Sequence, residues 1–571
     1  MNGGAPTAKG AGPAPRAVPS NAEAAAIFRE IADLLDVLGE KFKPEAYRRA
    51  ARSIESLTEE LSAVAARNEL RSIPGVGDAI EEKIRELLAT GRIAYHDRLT
   101  HEVPPGLLEI LRLPGLGPKT ARRFWVELGV EGTAELKAAI DAGRLDGMKG
   151  FGAKKIEQIR AALSPAPAGS SGARRPIEAA YPLAMAILRA LRAGAPVREA
   201  EIAGSFRRGR ETVGDLDVLV TSEAPEAVFD AFSKLPEVRE VRLRGGTKET
   251  VVLSNGLQVD LRVVEPEAFG AALQYFTGSK DHNVRLRSLA RDRGLKVNEY
   301  GVFRGDDRVA GRTEAEVYAA LGLAWIPPEL REDQGEIDAA AAGKVPRLIE
   351  ASDLAGDLHV HLAPGATGRE VDRLIADARA RGAAYLGVVV AGAAPDGRRF
   401  GIADDARARL AEARKGDPRI ERAVEIPADS DPKPFADERP DYWIVRPGPG
   451  PSPDRGAAIP EGARLLAHLS LGEAGPAESG TAWLEFARAR SLAVEVGPGG
   501  ERLDSRAARL ARSLGIPLAL PLGVGGSGDD DPTLPISMAF ARRAGAERKD
   551  VVNAGGPAAT AKRAARPRRA A

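Results

Sequence analysis

The chain has 571 residues, which at roughly 100–200 residues per domain allows three to five domains with several independent cores. It contains no cysteine, which excludes thiol catalysis, iron–sulfur clusters and thiolate zinc sites, and no run of about 18 apolar residues offers a membrane span. Lys plus Arg number 82 against 81 acids, so any nucleic-acid role has to rest on motifs rather than on net charge.

Residues 1–20 are rich in Gly, Pro and Ala and read as a disordered leader without the apolar stretch of a signal peptide. From Asn21 the apolar residues recur at three and four (Ile27, Ile31, Leu34, Leu35, Leu38), predicting amphipathic helix to about Leu88. The helical pattern divides into residues 21–100 and 101–163, and residues 164–176 form a Pro/Ala/Gly/Ser linker. Over 177–265 the pattern changes to strands at Glu201–Ala203, Asp215–Thr221, Val238–Leu243, Glu249–Leu253 and Gln258–Val264. A smaller mixed segment spans 266–330, and the polar, Ala-rich stretch 331–350 reads as a connector. Over 351–555, apolar strands such as Tyr385–Val390 and Ile516–Leu520 alternate with Ala/Arg helices in a barrel-like βα rhythm. Residues 556–571 form a basic tail.

One short device recurs between helices: Ile73-Pro74-Gly75-Val76-Gly77, Leu113-Pro114-Gly115-Leu116-Gly117 and, more loosely, Met148-Lys149-Gly150-Phe151-Gly152. Paired glycines permit a turn whose backbone N–H groups point outward beside a helix N-terminus, a site for a phosphate oxygen. Any single copy reads equally well as a helical turn that happens to contain glycine. The three together resemble helix–hairpin–helix motifs, which grip the DNA backbone without reading sequence. The resemblance implies DNA binding by Gly75, Gly77, Gly115, Gly117, Gly150 and Gly152, with a monovalent cation at the turns.

The sharpest pattern is Gly204-Ser205-Phe206-Arg207-Arg208-Gly209, then Val213-Gly214-Asp215-Leu216-Asp217-Val218. On a strand, Asp215 and Asp217 project from one face while Leu216, Val218 and Val220 enter a core on the other. Adjacent acids repel, and a pair of divalent cations is the natural compensation. A third acid, Asp260, lies in Gln258-Val259-Asp260-Leu261-Arg262 with the same alternation. Three carboxylates on adjacent strands suit phosphoryl transfer with two Mg²⁺ or Mn²⁺ ions. Gly204 and Ser205 would open a helix onto the phosphates, with Arg208 as a charged clamp. An isolated Asp-x-Asp on a strand edge is ordinary solvated polarity; the flanking Gly-Ser and Asp260 set this one apart.

This constellation resembles the nucleotidyltransferase superfamily. The segment Leu273-Gln274-Tyr275-Phe276-Thr277-Gly278-Ser279, followed by His282-Asn283 and Arg285-Leu286-Arg287, is similar to the nucleotide-binding segment of family X DNA polymerases, the bacterial ones especially. Asn298-Glu299-Tyr300 and Trp325-Ile326-Pro327-Pro328-Glu329-Leu330 extend the resemblance, which covers residues 21–330. It implies nucleotide binding by Gly204, Ser205, Arg208, Gly214, Tyr275, Phe276, Gly278, Asn283 and Arg287. Tyr275 would crowd the sugar 2′ position, Phe276 would support the sugar, Asn283 would reach the base, and Arg287 the template side. It also places Lys83 where a Schiff-base lysine would release 5′-deoxyribose phosphate, with Lys43 and Tyr47 lining a phosphate pocket. Glu81, Glu82 and Glu86 work against a nucleophilic lysine unless they face outward, and Ala79 replaces a second lysine of animal relatives.

Asp357-Leu358-His359-Val360-His361 stands where bacterial family X enzymes attach a PHP (polymerase and histidinol phosphatase) domain, which the resemblance makes a distorted β/α barrel with a trinuclear, exonucleolytic metal centre. Three of the chain's six His lie here, at 359, 361 and 468, where the family pattern calls for about five. Val390-Ala391, the run Arg446–Pro451 and Gly523-Val524-Gly525 fall at the other ligand positions, and Val, Ala and Gly cannot ligate metal through side chains. His359, His361, Glu425 and His468 are therefore expected to be residual positions rather than a working metal site.

The expected fold class is multidomain: all-α helix–hairpin–helix N-terminal domains, an α+β nucleotidyltransferase palm with a small nucleotide-binding subdomain, and a C-terminal PHP-like barrel. The expected function is template-directed DNA polymerisation in short-gap (base excision) repair, with Asp215, Asp217 and Asp260 as catalytic metal ligands and the exonuclease lost. Expected partners are gapped or primed duplex DNA and dNTPs, with no membrane, for a monomer in the bacterial cytoplasm at the nucleoid. Two alternatives remain open, a template-independent nucleotidyltransferase and an inactive DNA-end binding protein. A third keeps the exonuclease through a reduced metal site.

Overall fold

The computed structural model describes residues 21–555 apart from 56, 58–60, 112, 114–115, 149–150, 153–155, 158, 161–162, 164–173, 364, 394–397, 415, 429, 448–458, 470–476, 500–501 and 527–530. The expected leader, the basic tail and most of the linker lie outside the described residues, as do Gly115 and Gly150. The chain divides into two units, Met1–Ala168 and Gly169–Ala571.

The N-terminal unit is helical. Asn21–Leu38 packs along Lys43–Glu55 and buries Phe28, Ile31, Leu34 and Leu35, the stripe expected from the spacing of its apolar residues. One apolar core continues from these residues through Ile84, Phe124 and Leu136 to Phe151 and Ile159, so both expected helical segments share it. Helices Asp78–Thr90 and Pro118–Leu128 start behind Gly77 and Gly117 and stop at the left-handed Gly91 and Gly129.

In the second unit, β1 (Arg175–Pro176) pairs with β3 (Thr212–Val213), so strand structure begins within the expected linker. A five-stranded mixed sheet contains β2 (Glu199–Ile202), β4 (Asp215–Thr221), β5 (Val238–Arg244), β6 (Lys248–Leu253) and β7 (Gln258–Val264), in the order β2-β4-β7-β6-β5. Leu216, Val218 and Val220 enter the core on one face with helix Ile177–Gly194. On the other, Leu219 packs with Ala203, Phe269, Ala272 and Leu273, fixing helix Phe269–Thr277 against the acid-bearing face.

The next subdomain packs Lys280–Asp292 and Glu314–Ala320 on the small sheet β8 (Lys296–Asn298), β9 (Gly301–Arg304) and β10 (Asp307–Ala310). The stretch 331–350 corrects the expectation of a polar connector. Its first part forms helix Glu336–Ala341, whose Ile337 and Ala340 join this core, and Arg331 is fully buried. Polarity misled because the polar groups are buried in pairs: Arg331 bonds Glu314, and Glu336 lies 2.6 Å from His282.

The rest of the chain is a nearly closed barrel of β11 (Gly356–His361), β12 (Tyr385–Ala393), β14 (Arg419–Pro427), β15 (Tyr442–Arg446), β16 (Ala463–Leu466), β17 (Ala493–Glu495) and β18 (Leu518–Ala519), all parallel in that spatial order. The short β13 (Arg399–Gly401) is antiparallel to β12. Fully buried Asn553 joins the two edges, its amide donating to Gly356 O and Leu520 O and accepting from Leu520 N. The palm and barrel sides share one apolar cluster. Among the described residues no helix is long and apolar enough to cross a membrane.

Replacing Asn553 by Leu strands these backbone groups in the interior. The barrel's unfolding transition is expected to move by the equivalent of about 2–3 kcal/mol in urea titrations; an unmoved midpoint contradicts the closure role.

Candidate active site

Parallel pairing of β4 with β7 sets Asp217 directly opposite Asp260, with Asp215 one step along the same face opposite Gln258. Antiparallel β6 brings Thr250 opposite Asp260, and its hydroxyl donates to Asp260 Oδ1 at 2.7 Å. Lys248 Nζ donates to Asp260 Oδ2 at 2.6 Å. Neither residue stands out in the sequence, because their relevance follows from the β6–β7 register alone. Burial, then the neighbouring Asp215 and Asp260, push the Asp217 carboxyl up to about 7. Asp215 is raised by burial and by Asp260. Such upward shifts are what a site for cations shows before they bind.

Gly204 faces this cluster. Its φ is +65°, and a Cβ there would stand 2.6 Å from Asp217 Oδ2. The residue is glycine both for its backbone conformation and because the carboxylate approaches so closely. Ser205 lies in the short helical turn Gly204–Arg207, and Gly214 separates β3 from β4.

The expected phosphate clamp is placed differently. Arg208 donates from Nε to Glu332 at 3.0 Å and from Nη1 to the carbonyl of Thr277 at 2.7 Å. Its guanidinium is thus held by the subdomain rather than directed to the carboxylates, a consequence of Glu332 lying inside the misread connector. Arg207 bonds Glu314 with both Nη atoms. Tyr275 and Phe276 sit edge to face at 5.1 Å, with Arg262 over the Phe276 ring. Asn283, expected to reach the base, is engaged locally in this structure. It donates to Tyr275 O and Gly278 O and accepts from Gln274, all within the turn. A Cβ on Gly278 would lie 2.5 Å from Asn283 Oδ1, so glycine is what lets this latch close. Arg287 is exposed on the same helix.

The hairpins share one geometry. Val76, Leu116 and Phe151 each donate a backbone N–H to the residue three earlier and bury their side chains, while the carbonyls of Gly77, Gly117 and Gly152 accept the first bonds of the next helix. A Cβ on any of these three glycines would meet nothing within 4 Å, so each presents bare backbone to open space. Gly75 has φ +87°. Lys83 donates to Ala79 O and stands 4.9 Å from the Tyr95 ring. Glu81 bonds Arg85, and Glu86 accepts from Ala94 N, so these two acids are engaged away from the lysine.

In the barrel, His359, His361, Glu425 and His468 gather at the C-terminal ends of the strands, with ligand atoms within 4.8 Å of one another. His359 lies between Glu495 (2.9 Å) and Glu425 (3.1 Å), and its Nε2 is 2.8 Å from that of His361. Arg446 stands 3.1 Å from Glu425 and Arg502 3.6 Å from Glu495. Although burial disfavours its charge, Glu495 and Glu425 hold His359 up to about 10. The donor set fits at most one cation, which would have to displace a proton from His359 and compete with Arg446. It does not fit the trinuclear centre that the PHP resemblance implies, since Val390, Ala391, Gly523, Val524 and Gly525 offer no side-chain ligands. The four converge as the reduced-site alternative requires, whereas sequence reading missed Glu495, which pairing with His359 across the barrel makes visible.

Four family descriptions match the chain: helix-hairpin-helix domain over residues 19–93, SAM-like helix-hairpin-helix tandem over 107–164, DNA polymerase beta palm over 174–264 and DNA polymerase beta thumb over 272–332. These matches support the resemblance to the family X DNA polymerases, the bacterial ones among them. It is 36% identical over 340 residues to the "DNA polymerase/3'-5' exonuclease PolX" of Bacillus subtilis (strain 168), covering 59% of this chain and 58% of that protein. It is 28% identical over 370 residues to DNA polymerase lambda of Rattus norvegicus, 57% of this chain and 61% of that one. The Arabidopsis thaliana DNA polymerase lambda is 24% identical over 340 residues, 53% and 61%. The matches thus span about three fifths of each relative's length.

Because the folded-state carboxyl of Asp217 is raised above the ordinary value near ~4, its ionisation destabilises the cation-free protein. That penalty is fully present above about 7 and fades as pH falls through about 7 toward the unfolded value. Asp217→Asn is therefore expected to raise the melting temperature of chelator-treated protein at about pH 8, with a gain that shrinks on acidification. Equal melting curves at about pH 8 contradict the shift.

Proposed function

We propose that this chain is a template-directed DNA polymerase that adds dNMP to a primer 3′-hydroxyl and fills short gaps in duplex DNA, with Asp215, Asp217 and Asp260 as its catalytic carboxylates. The observation that carries the reading is the opposition of Asp217 and Asp260 in register, with Asp215 on the same face. These residues would hold two Mg²⁺ or Mn²⁺ ions, which when bound supply Lewis-acid activation of the hydroxyl and neutralise triphosphate charge. Lys248 and Thr250 orient Asp260. The backbone at Gly204 leaves room for phosphate beside Asp217. Tyr275 and Phe276 flank the sugar and favour deoxyribonucleotides. The open backbone at Gly77, Gly117 and Gly152 takes phosphates of primed or gapped duplex, which supports DNA binding by a nearly neutral chain.

The barrel acts as a scaffold without exonuclease activity. Its remaining carboxylates are compensated by Arg446, Arg502 and a charged His359. The names of the lambda-type relatives and of the palm and thumb descriptions agree with the polymerase reading, while the Bacillus subtilis protein's name also includes an exonuclease. The protein works as a monomer in bacterial base excision repair.

A labelled primer on a one-nucleotide gap, given each dNTP singly, tests the reading beside Asp217→Ala. Extension is expected only with the templated dNTP, and the variant is expected to lose about a hundred- to a thousandfold in rate, as removal of one charge-stabilising group does. Extension by every dNTP points to a template-independent enzyme, and none points to a binding protein. Primer shortening that survives Asp217→Ala, or a full equivalent of tightly held transition metal in the purified protein, contradicts the loss of the exonuclease.

A further inference from the structure

The palm's glycine turn rests on the barrel. Gly209 has φ +63°, and a Cβ there would stand 2.7 Å from the Cβ of Ala539, on helix Thr533–Arg543. Arg543, the last residue of that helix, is 6% exposed and reaches back into the turn. Its Nη1 donates to Arg208 O at 3.2 Å and to Glu332 Oε1 at 2.8 Å, and its Nε donates to Ser505 Oγ at 3.3 Å. The same Glu332 oxygen accepts from Arg208 Nε at 3.0 Å. One buried carboxylate is therefore shared by a guanidinium of the palm and one of the barrel. Burial alone would raise Glu332, but Arg208 and Arg543 hold it down to about 2.

This sharing matters for Arg208, because the side chain that would serve a triphosphate is bound to Glu332. For Arg208 to turn to the nucleotide it must leave a carboxylate in a largely buried place, and an unpaired buried charge is costly. Arg210, at 3.7 Å, is too distant for a hydrogen bond to Glu332. Arg543 keeps the carboxylate paired whether or not Arg208 stays.

We propose that Arg543 is a positioning residue for nucleotide binding: by holding Glu332, the C-terminal barrel lets Arg208 of the palm turn be released to the dNTP triphosphate. The inference rests on the polymerase reading above and deepens it, giving the barrel a part in the nucleotide site that does not depend on nuclease chemistry. Without Arg543, Glu332 keeps Arg208 as its main counter-ion and the dNTP has to compete for it.

Steady-state extension of a one-nucleotide gap by the full chain separates the outcomes. Arg543→Gln is expected to raise KM for the templated dNTP about tenfold, the size of one charge-assisted hydrogen bond, with a much smaller change in kcat. Glu332→Gln in the same chain is expected to bring KM back toward the wild-type value, because the competing charge is gone. Arg543→Lys, which keeps the charge, is expected to fall between, and melting curves report whether each variant is folded. A KM unmoved in folded Arg543→Gln, or a raised KM that Glu332→Gln does not lower, overturns the inference and leaves the polymerase reading standing. Should Arg543→Gln not fold, the Arg543→Lys and Glu332→Gln single variants decide. The inference then requires KM raised in the first and unchanged or lowered in the second, and any other pair overturns it. No extension by the wild-type chain overturns both readings.

Discussion

Three carboxylates forced onto one face of a sheet are the constraint around which the second unit is built. The register of β4 against β7 puts Asp217 opposite Asp260, and nothing in that pairing relieves their repulsion. Partial relief comes from Lys248 and Thr250 on the neighbouring strand, and from the proton that burial and the neighbouring acids favour on Asp217. The apolar side of the same strands pays for holding the acids together, since Leu216, Val218 and Val220 join the large core. The glycine turn, the latch at Asn283 and the helix Phe269–Thr277 are arranged around the resulting patch of negative charge.

Charge pairing also explains how the surrounding subdomains hold their places. Arg207 and Arg331 share Glu314, Arg208 and Arg543 share Glu332, and Arg542 bonds Glu329. Each buried carboxylate meets guanidinium groups from distant parts of the chain, so these pairs fix geometry more than they add stability. In the barrel the same chemistry surrounds the cluster of His359, His361, Glu425 and His468. Guanidinium groups at Arg446 and Arg502 face the glutamates that remain, and His359 carries a proton between them.

The parts of this arrangement that were legible in the sequence are those carried by local periodicity. The alternation in Asp215–Val220 announced both the shared face of the acids and their apolar support, and the recurring Gly-x-Gly announced hairpins whose second glycine lies open. Pairings distant in sequence were not legible. Nothing local to Lys248 links it to Asp260, Glu332 reads as solvated polarity until Arg208 and Arg543 are seen around it, and Glu495 needs the barrel to meet His359. For the same reason the local pairings of Arg208 and Asn283 were not legible. Their partners in this state, Glu332 and the carbonyls of Tyr275 and Gly278, depend on how the subdomain folds back.

On the proposed reading, Asp215, Asp217 and Asp260 form the chain's functional cation site. Counting Mn²⁺ ions by electron paramagnetic resonance in a complex with gapped DNA, a dideoxy-terminated primer and the templated dNTP tests it directly. About two bound ions per chain are expected, both lost in Asp217→Asn while DNA binding persists. An undiminished count in Asp217→Asn, with the ions lost instead in Glu425→Gln, would place the cations in the barrel and contradict it.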